Sequence, residues 1–121
     1  MARLQNAFLE RVEAFSHRVI DVAETIADDK RSARIVEQMM GAGSAIGANV
    51  WEAAEALSSK DFCKGLGIAL KELSESRYWL RFVVRRGWIK AIRVAPLELE
   101  AGELQRIIGS MVARTRKRTK S

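Results

Sequence analysis

An unbroken stripe of small and apolar residues in the middle of the chain most constrains the fold. Its members follow one another at alternating intervals of four and three residues: Phe62, Leu66, Ala69, Leu73, Ser76, Leu80 and Val83. Such intervals place side chains on one face of an α-helix, whereas a strand would place them on both faces of a sheet. The spacing therefore predicts an amphipathic helix over residues 60–86 that packs against other helices.

Three further segments carry stripes with nearly the same spacing. The first stripe comprises Phe8, Val12, Phe15, Val19, Val22 and Ile26. The second comprises Ile35, Met39, Gly43, Ile46, Val50, Ala53 and Leu57, and the last comprises Ala101, Leu104, Ile108, Met111 and Thr115. Pro96 suits the first turn of a helix, where its missing N–H is not needed. The sequence thus predicts helices over 4–27, 32–57, 60–86 and 96–117, with residues 88–95 as a connector.

Four amphipathic helices joined by short connections favour an all-α fold, an antiparallel up-down four-helix bundle formed by one domain over residues 1–121. Only 9 of the 121 residues are proline or glycine and 48% are hydrophobic, which excludes collagen-like and disordered chains. The longest uncharged stretch, Gln38 to Trp51, is shorter than the roughly 20 residues that cross a bilayer. With one cysteine and no recognisable targeting segment, we expect a cytoplasmic protein without a membrane role.

The second predicted helix contains a run of small residues, from Gly41 to Asn49, that is costly in a helix interior. Close packing of a neighbouring helix would offset this cost, and the amide of Asn49 is a candidate for a hydrogen bond across the contact. Gly65 and Gly67 suggest the same for the third helix. A phosphate-binding loop is disfavoured because the glycines lack the Gly-Lys-Ser/Thr ending.

The sequence contains little that could form a catalytic or metal-binding site. His17 is the single histidine and lacks the Glu-x-x-His pairing of di-metal bundles. Cys63 has no recognisable base beside it in the sequence, so we expect a small buried apolar residue. The sequence therefore predicts no enzyme activity, no catalytic residues, no metal and no cofactor.

Charge is distributed unevenly along the chain, which carries +6 overall. Residues 1–76 carry 9 basic and 12 acidic side chains, a net charge of −3, whereas residues 77–121 carry 12 and 3, a net charge of +9. A surface of this kind attracts phosphate backbones. The candidate nucleic-acid-binding residues are Arg77, Arg81, Arg85, Arg86, Lys90, Arg93, Arg114, Arg116, Lys117 and Arg118. Antiparallel packing would place the two groups, 77–93 and 114–118, at opposite ends of the bundle.

Tyr78, Trp79 and Trp88 interleave with the first basic group and are candidates for stacking on unpaired bases. The alternative is that the basic residues only solvate one face, while the aromatic residues fill an interface between subunits. Sequence alone leaves these two interpretations open.

Several short motifs resemble the bacterial four helix bundle protein family. They are Gly43-Ser-Ala-Ile-Gly-Ala-Asn-Val-Trp-Glu-Ala53, Ser59-Lys-Asp-Phe62, Ile68-Ala-Leu-Lys-Glu72 and Tyr78-Trp-Leu80. The resemblance spans about residues 8–117. That family is related to proteins encoded in intervening sequences of ribosomal RNA genes and, more distantly, to accessory variability determinants of diversity-generating retroelements.

The resemblance implies an antiparallel four-helix bundle that assembles as a ring-like homopentamer. It further implies partners, namely nucleic acid and a nucleic-acid enzyme such as a reverse transcriptase. The residues expected to serve packing or assembly are Gly43, Ser44, Gly47, Asn49, Trp51, Lys71, Glu72, Glu75, Tyr78 and Trp79. At Trp51 the chain departs from the family pattern, in which an acidic or polar residue is common. The leading hypothesis is a non-enzymatic, oligomeric accessory protein that binds RNA or DNA. The alternative is a structural or protein–protein adaptor scaffold without a nucleic-acid role.

Overall fold

The computed structural model describes residues 4–120, and within that range the chain forms four α-helices and no strand. The helices are α1 (Asn6–Asp28), α2 (Ala33–Ala54), α3 (Ser59–Arg85) and α4 (Ala91–Lys120). Serine side chains cap two of them: the Oγ of Ser32 accepts from the N–H of Ile35, and that of Ser58 from the N–H of Asp61. Gly87, at φ +73°, turns the chain after α3, as its position in the sequence predicts.

Each helix packs antiparallel against the next, and α1 also contacts α4 over a smaller surface. The stripe of α3 is buried in full, from Phe62 to Val83, and its Leu66, Leu73 and Leu80 have no solvent-exposed surface. The all-α four-helix prediction is confirmed for the described residues. The bundle therefore buries one shared apolar core and leaves the outer face of each helix to solvent.

Three boundaries differ from the prediction by three residues or more, and one of them is the end of α4, predicted at residue 117 and found at Lys120. Leu57 was assigned to the second stripe but is 99% exposed, because α2 ends at Ala54. The last helix begins at Ala91 rather than at residue 96, so Pro96 lies inside α4. Burial of Val94 and Leu97 extends the helix upstream and offsets the hydrogen bond that the proline cannot donate.

Small residues set the closest approaches between helices. A Cβ added at Gly43 would lie 2.7 Å from Cγ1 of Val19 on α1, and the N–H of Gly47 donates to Oγ of Ser16 at 3.1 Å. On the other side of α2, a Cβ added at Gly65 of α3 would lie 3.1 Å from the Cβ of Ala53 on α2. The packing role predicted for the small-residue run therefore holds at these three glycines.

Two details of that prediction were wrong. Gly67 has open space around it, with no atom within 4 Å of an added Cβ. The side-chain amide of Asn49 donates to the carbonyl of Ala45 at 2.8 Å, within its own helix rather than across the contact.

Among residues 4–120, no helix combines the length and the apolar character needed to cross a membrane.

Candidate nucleic-acid interface

The outer face of α3 carries a row of five basic side chains and one tyrosine along most of the helix. Successive members lie three, four or seven residues apart, so they share one face. All are exposed. The row, called here the α3 track, comprises Lys60, Lys64, Lys71, Tyr78, Arg81 and Arg85. It joins the candidate residues at the end of α3 with lysines near its start that sequence analysis did not assign to an interface.

Arg81 and Arg85 are the members of the predicted set that are best placed to meet a ligand. Both side chains are exposed, and within residues 4–120 neither has an ion-pair or hydrogen-bond partner. They lie one helical turn apart. Two guanidinium groups so placed can contact successive anionic groups.

Arg77, predicted as part of the same stripe, is engaged within the bundle. Its Nη1 donates to Oε1 of Gln105, and its Nη2 lies 3.9 Å from Oε2 of Glu98. Both partners lie on α4. Arg77 therefore ties α3 to α4, and its role as a free phosphate contact is not supported by its surroundings.

The turn between α3 and α4, together with the first turn of α4, holds three more of the predicted basic residues: Arg86, Lys90 and Arg93. The guanidinium of Arg86 lies 5.8 Å from the ring centre of Trp88, and that of Arg31 lies 5.9 Å from the same ring. Cation–π contacts of this kind hold the two cations at one end of the bundle. Lys90 and Arg93 are exposed nearby, and Arg93 lines a small cavity against α1.

The second basic group, at the end of α4, lies beside the start of α3. Arg116 lines a cavity of about 580 Å³ together with Lys60, Lys64 and Cys63. Arg118 donates to Oγ1 of Thr115 at 3.5 Å, and the side chains of Arg114 and Lys117 are exposed. The two predicted basic groups therefore lie at opposite ends of the α3–α4 pair, in agreement with antiparallel packing.

The aromatic residues near the track form one chain of ring contacts. Tyr78 meets Trp79 edge to face at 5.0 Å, and Phe82 contacts both Tyr78 and Trp88. The Trp79 ring is half-buried and its Nε1 donates to Glu75 at 3.3 Å. Tyr78 is 58% exposed and lies three residues before Arg81 on α3.

An apolar groove runs along the other side of the two arginines, between α3 and α4. Its volume is about 560 Å³, and its apolar lining includes Leu80, Val84 and Leu99. Leu99 is 77% exposed. Arg81 and Arg85 line the groove on the α3 side, and Glu98 lines it on the α4 side.

The residues expected to serve packing or assembly divide into two groups. Gly43, Gly47 and Trp79 pack within the bundle, and Asn49, Glu72 and Glu75 are half-buried. Ser44, Trp51, Lys71 and Tyr78 are exposed. Trp51 is 57% exposed and lines a cavity of about 280 Å³ on the α1–α2 side.

The acidic, histidine and cysteine side chains within residues 4–120 form no metal-binding arrangement. No group of three or more His, Cys, Asp or Glu residues there is arranged to hold a metal ion. The exposed His17 ring lies 3.4 Å from its helix neighbour Glu13, and Cys63 is buried, as expected of a small apolar residue.

Sequence analysis missed an ion pair that joins the first and last helices. Arg11 donates from Nε and Nη2 to both carboxylate oxygens of Glu100 at 2.8 Å, and its Nη2 lies 2.9 Å from Glu103. The hydrogen bond from Arg11 holds the pKa of Glu100 below its ordinary value, and the bond to Glu100 raises that of Arg11. The partners lie 89 positions apart, and no local pattern signals such a pair.

Comparisons with known proteins give consistent results. The sequence profile described as 23S rRNA-intervening sequence protein matches residues 5–110. A crystal structure from Bacteroides thetaiotaomicron, of a protein with unknown function from the S23 ribosomal protein family, is similar with a TM-score of 0.81 and 27% identity. The similarity covers 86% of this chain and 96% of that one. None of the curated proteins gives a significant match.

Proposed function

We propose, from the premise that this chain belongs to the 23S rRNA-intervening sequence protein family, that it is a non-catalytic accessory protein that binds nucleic acid. The α3 track is the observation that carries the proposal, because it lines up five exposed cations along one face of α3. A cytoplasmic location is part of the proposal.

Counterion release supplies the binding free energy in this proposal. Each cation that neutralises a phosphate frees a condensed counterion, so the logarithm of the binding constant falls with the logarithm of salt concentration, by about 0.9 per contact on a duplex. Contacts to phosphates carry no sequence information directly. We therefore expect salt-sensitive binding with weak sequence preference.

The test is the double variant Arg81→Glu/Arg85→Glu, measured by fluorescence anisotropy with mixed-sequence RNA over a salt series. Removing two phosphate contacts should weaken binding at least tenfold near physiological salt and lower the magnitude of the salt slope by about 2. Arg77 is left unchanged because it ties α3 to α4. Circular dichroism checks that the helices remain.

The matched control is Arg18→Glu/Arg34→Glu, which makes the same change in net charge at exposed positions on α1 and α2. The control should bind nearly as the unmodified chain does. If both double variants lost the same affinity for RNA, binding would depend only on the overall charge of the protein. No binding of RNA or DNA by the unmodified chain would reject the proposal and favour the adaptor scaffold.

Assembly into a homopentamer and cooperation with a nucleic-acid enzyme, such as a reverse transcriptase, belong to the same proposal. The exposed ring of Trp51, beside a cavity between α1 and α2, offers apolar area for a contact between copies. Native mass spectrometry on freshly purified protein, with absorbance at 260 and 280 nm, reports subunit number and co-purified nucleic acid together. A mass of one or two chains would reject the pentamer.

A further inference from the structure

We infer that the α3 track selects single-stranded nucleic acid over duplex, an inference that rests on the proposed function and specifies its ligand. The geometry that points to it is an arginine ridge with an apolar surface on each side. Arg81 and Arg85 form the ridge, the ring of Tyr78 lies on one side, and the α3–α4 groove lies on the other.

The side of the ridge that carries Tyr78 presents an aromatic face. Tyr78 lies three residues before Arg81, a spacing that makes the two side chains neighbours on the helix surface. Tyr78 is 58% exposed, and its ring contacts that of Trp79 edge to face at 5.0 Å. Exposed aromatic rings among cations are the stacking platforms of proteins that bind single strands.

The groove side presents an aliphatic surface. Val84, Ala95 and Leu99 line a volume of about 560 Å³ beside both arginines. A planar base can enter this groove while its phosphate remains on the ridge. The ridge therefore has a place for a base on either side.

A duplex cannot use these two surfaces. Its phosphates face outward and its bases are stacked in the interior, so only the arginines would contact it. A single strand can place its bases on the Tyr78 ring and in the groove while its backbone follows the ridge. The two apolar surfaces thus add to the affinity for a single strand and add nothing for a duplex.

An acidic amphipathic helix from a partner protein fits the groove less well. Glu98 lines the side of the groove that faces the arginines, and its Oε1 has no hydrogen-bond partner within residues 4–120. The arginines attract carboxylates as well as phosphates, but the amino group of a nucleobase can donate a hydrogen bond to Glu98, and a carboxylate cannot. A helix in the groove would also leave the Tyr78 ring without a contact.

The experiment compares one mixed-sequence strand with its annealed duplex, at the same salt concentration and the same length, using the full chain. A duplex carries twice the charge of its single strand, so a surface that recognises charge alone binds the duplex at least as tightly. We expect the single strand to bind about tenfold more tightly. The variants at Tyr78 and Leu99 then show whether contacts to bases account for this preference.

Tyr78→Ala should weaken single-strand binding by about 5-fold to 150-fold, the range observed for loss of one aromatic stack, and leave duplex binding unchanged. Tyr78→Phe keeps the ring and should keep the affinity. In the groove, Leu99→Ser should also weaken single-strand binding. Its matched control is Leu57→Ser, which removes an exposed leucine beyond the far end of the track.

The outcomes separate this inference from the function on which it rests. Duplex binding equal to or tighter than single-strand binding would overturn the selectivity and leave nucleic-acid binding intact. Failure of both ligands to bind would overturn the proposed function as well. Tighter binding of a Glu-rich amphipathic peptide than of the single strand would assign the groove to a protein partner instead.

Discussion

Gly41 and Gly43 lie two residues apart on α2, yet a methyl group added at each would meet different surroundings. At Gly43 a Cβ would lie 2.7 Å from Cγ1 of Val19 and 3.0 Å from its Cβ, whereas at Gly41 it would meet no atom within 4 Å. A β-branched valine cannot rotate away from both contacts. The two glycines therefore have different structural roles.

Gly43→Ala should lower the free energy of unfolding by about 1 to 3 kcal/mol, because α1 and α2 must move apart. Gly41→Ala should raise it by about 0.5 to 1 kcal/mol through higher helix propensity. Urea denaturation followed by circular dichroism measures both changes. Destabilisation by both substitutions to the same degree would contradict the assignment of Gly43 to the contact.

For single residues, the sequence predicts that small side chains allow close helix packing, but it does not predict which glycine lies at the contact. A run of small residues indicates close packing, yet Gly43 and Gly65 make the approach while Gly41 and Gly67 do not. The difference depends on how each helix is rotated toward its neighbour. The side-chain amide of Asn49 likewise donates to a carbonyl on its own helix.

The helices themselves follow from the spacing of apolar residues, with the exception of the start of α4. The prediction placed Pro96 in a first turn, where proline costs least, but α4 begins at Ala91. Ile92 is the residue whose carbonyl would accept from position 96. Tertiary burial of Val94 and Leu97 outweighs this local preference.

Pro96→Ala restores the missing donor and should raise the free energy of unfolding by about 1 to 3 kcal/mol. The same denaturation experiment measures the change, and RNA affinity should not change because Pro96 lies outside the α3 track. An unchanged or lower stability would show that the helix already accommodates the ring at little cost.

The spacing of residues along the sequence does not predict which side chains of the candidate site contact another helix. The spacing of Arg77, Arg81 and Arg85 predicts one stripe, but Arg77 lies close enough to α4 to bind Gln105 and approach Glu98. Lys60 and Lys64 were missed because the net charge of residues 1–76 is negative. The structure places both lysines on the same exposed face of α3 as Arg81 and Arg85.

Across the whole molecule, the contact between α1 and α4 is the smallest of the four between neighbouring helices, and ionic groups reinforce it. Arg11 binds both carboxylate oxygens of Glu100 at 2.8 Å. The side chain of Glu100 is 20% exposed, so the pair is only partly screened by solvent. An ion pair joined by two well-aligned hydrogen bonds contributes more to the free energy of unfolding than a typical surface ion pair does.

This pair makes stability depend on pH in a defined direction. The hydrogen bond from Arg11 lowers the pKa of Glu100 in the folded state, so its contribution is fully present above the unfolded pKa and is lost as pH falls through the folded pKa. Glu100→Gln should lower the free energy of unfolding by about 1 kcal/mol at neutral pH. That deficit should disappear in acid.

Urea denaturation across a pH series measures the effect. The matched control is Glu24→Gln, which removes the same charge from an exposed position on α1 that has no ion-pair partner within residues 4–120. A deficit that stays constant with pH, or that appears equally in the control, would contradict the role of the pair.

The length of the α3 track sets the footprint of a ligand. From Lys60 to Arg85 the helix rises about 37 Å, at 1.5 Å per residue. A B-form duplex covers that distance in about eleven base pairs, or one helical turn, during which each phosphate strand circles the axis. A row of cations on one helix face can follow such a strand over part of the turn. An extended single strand can follow the row from end to end.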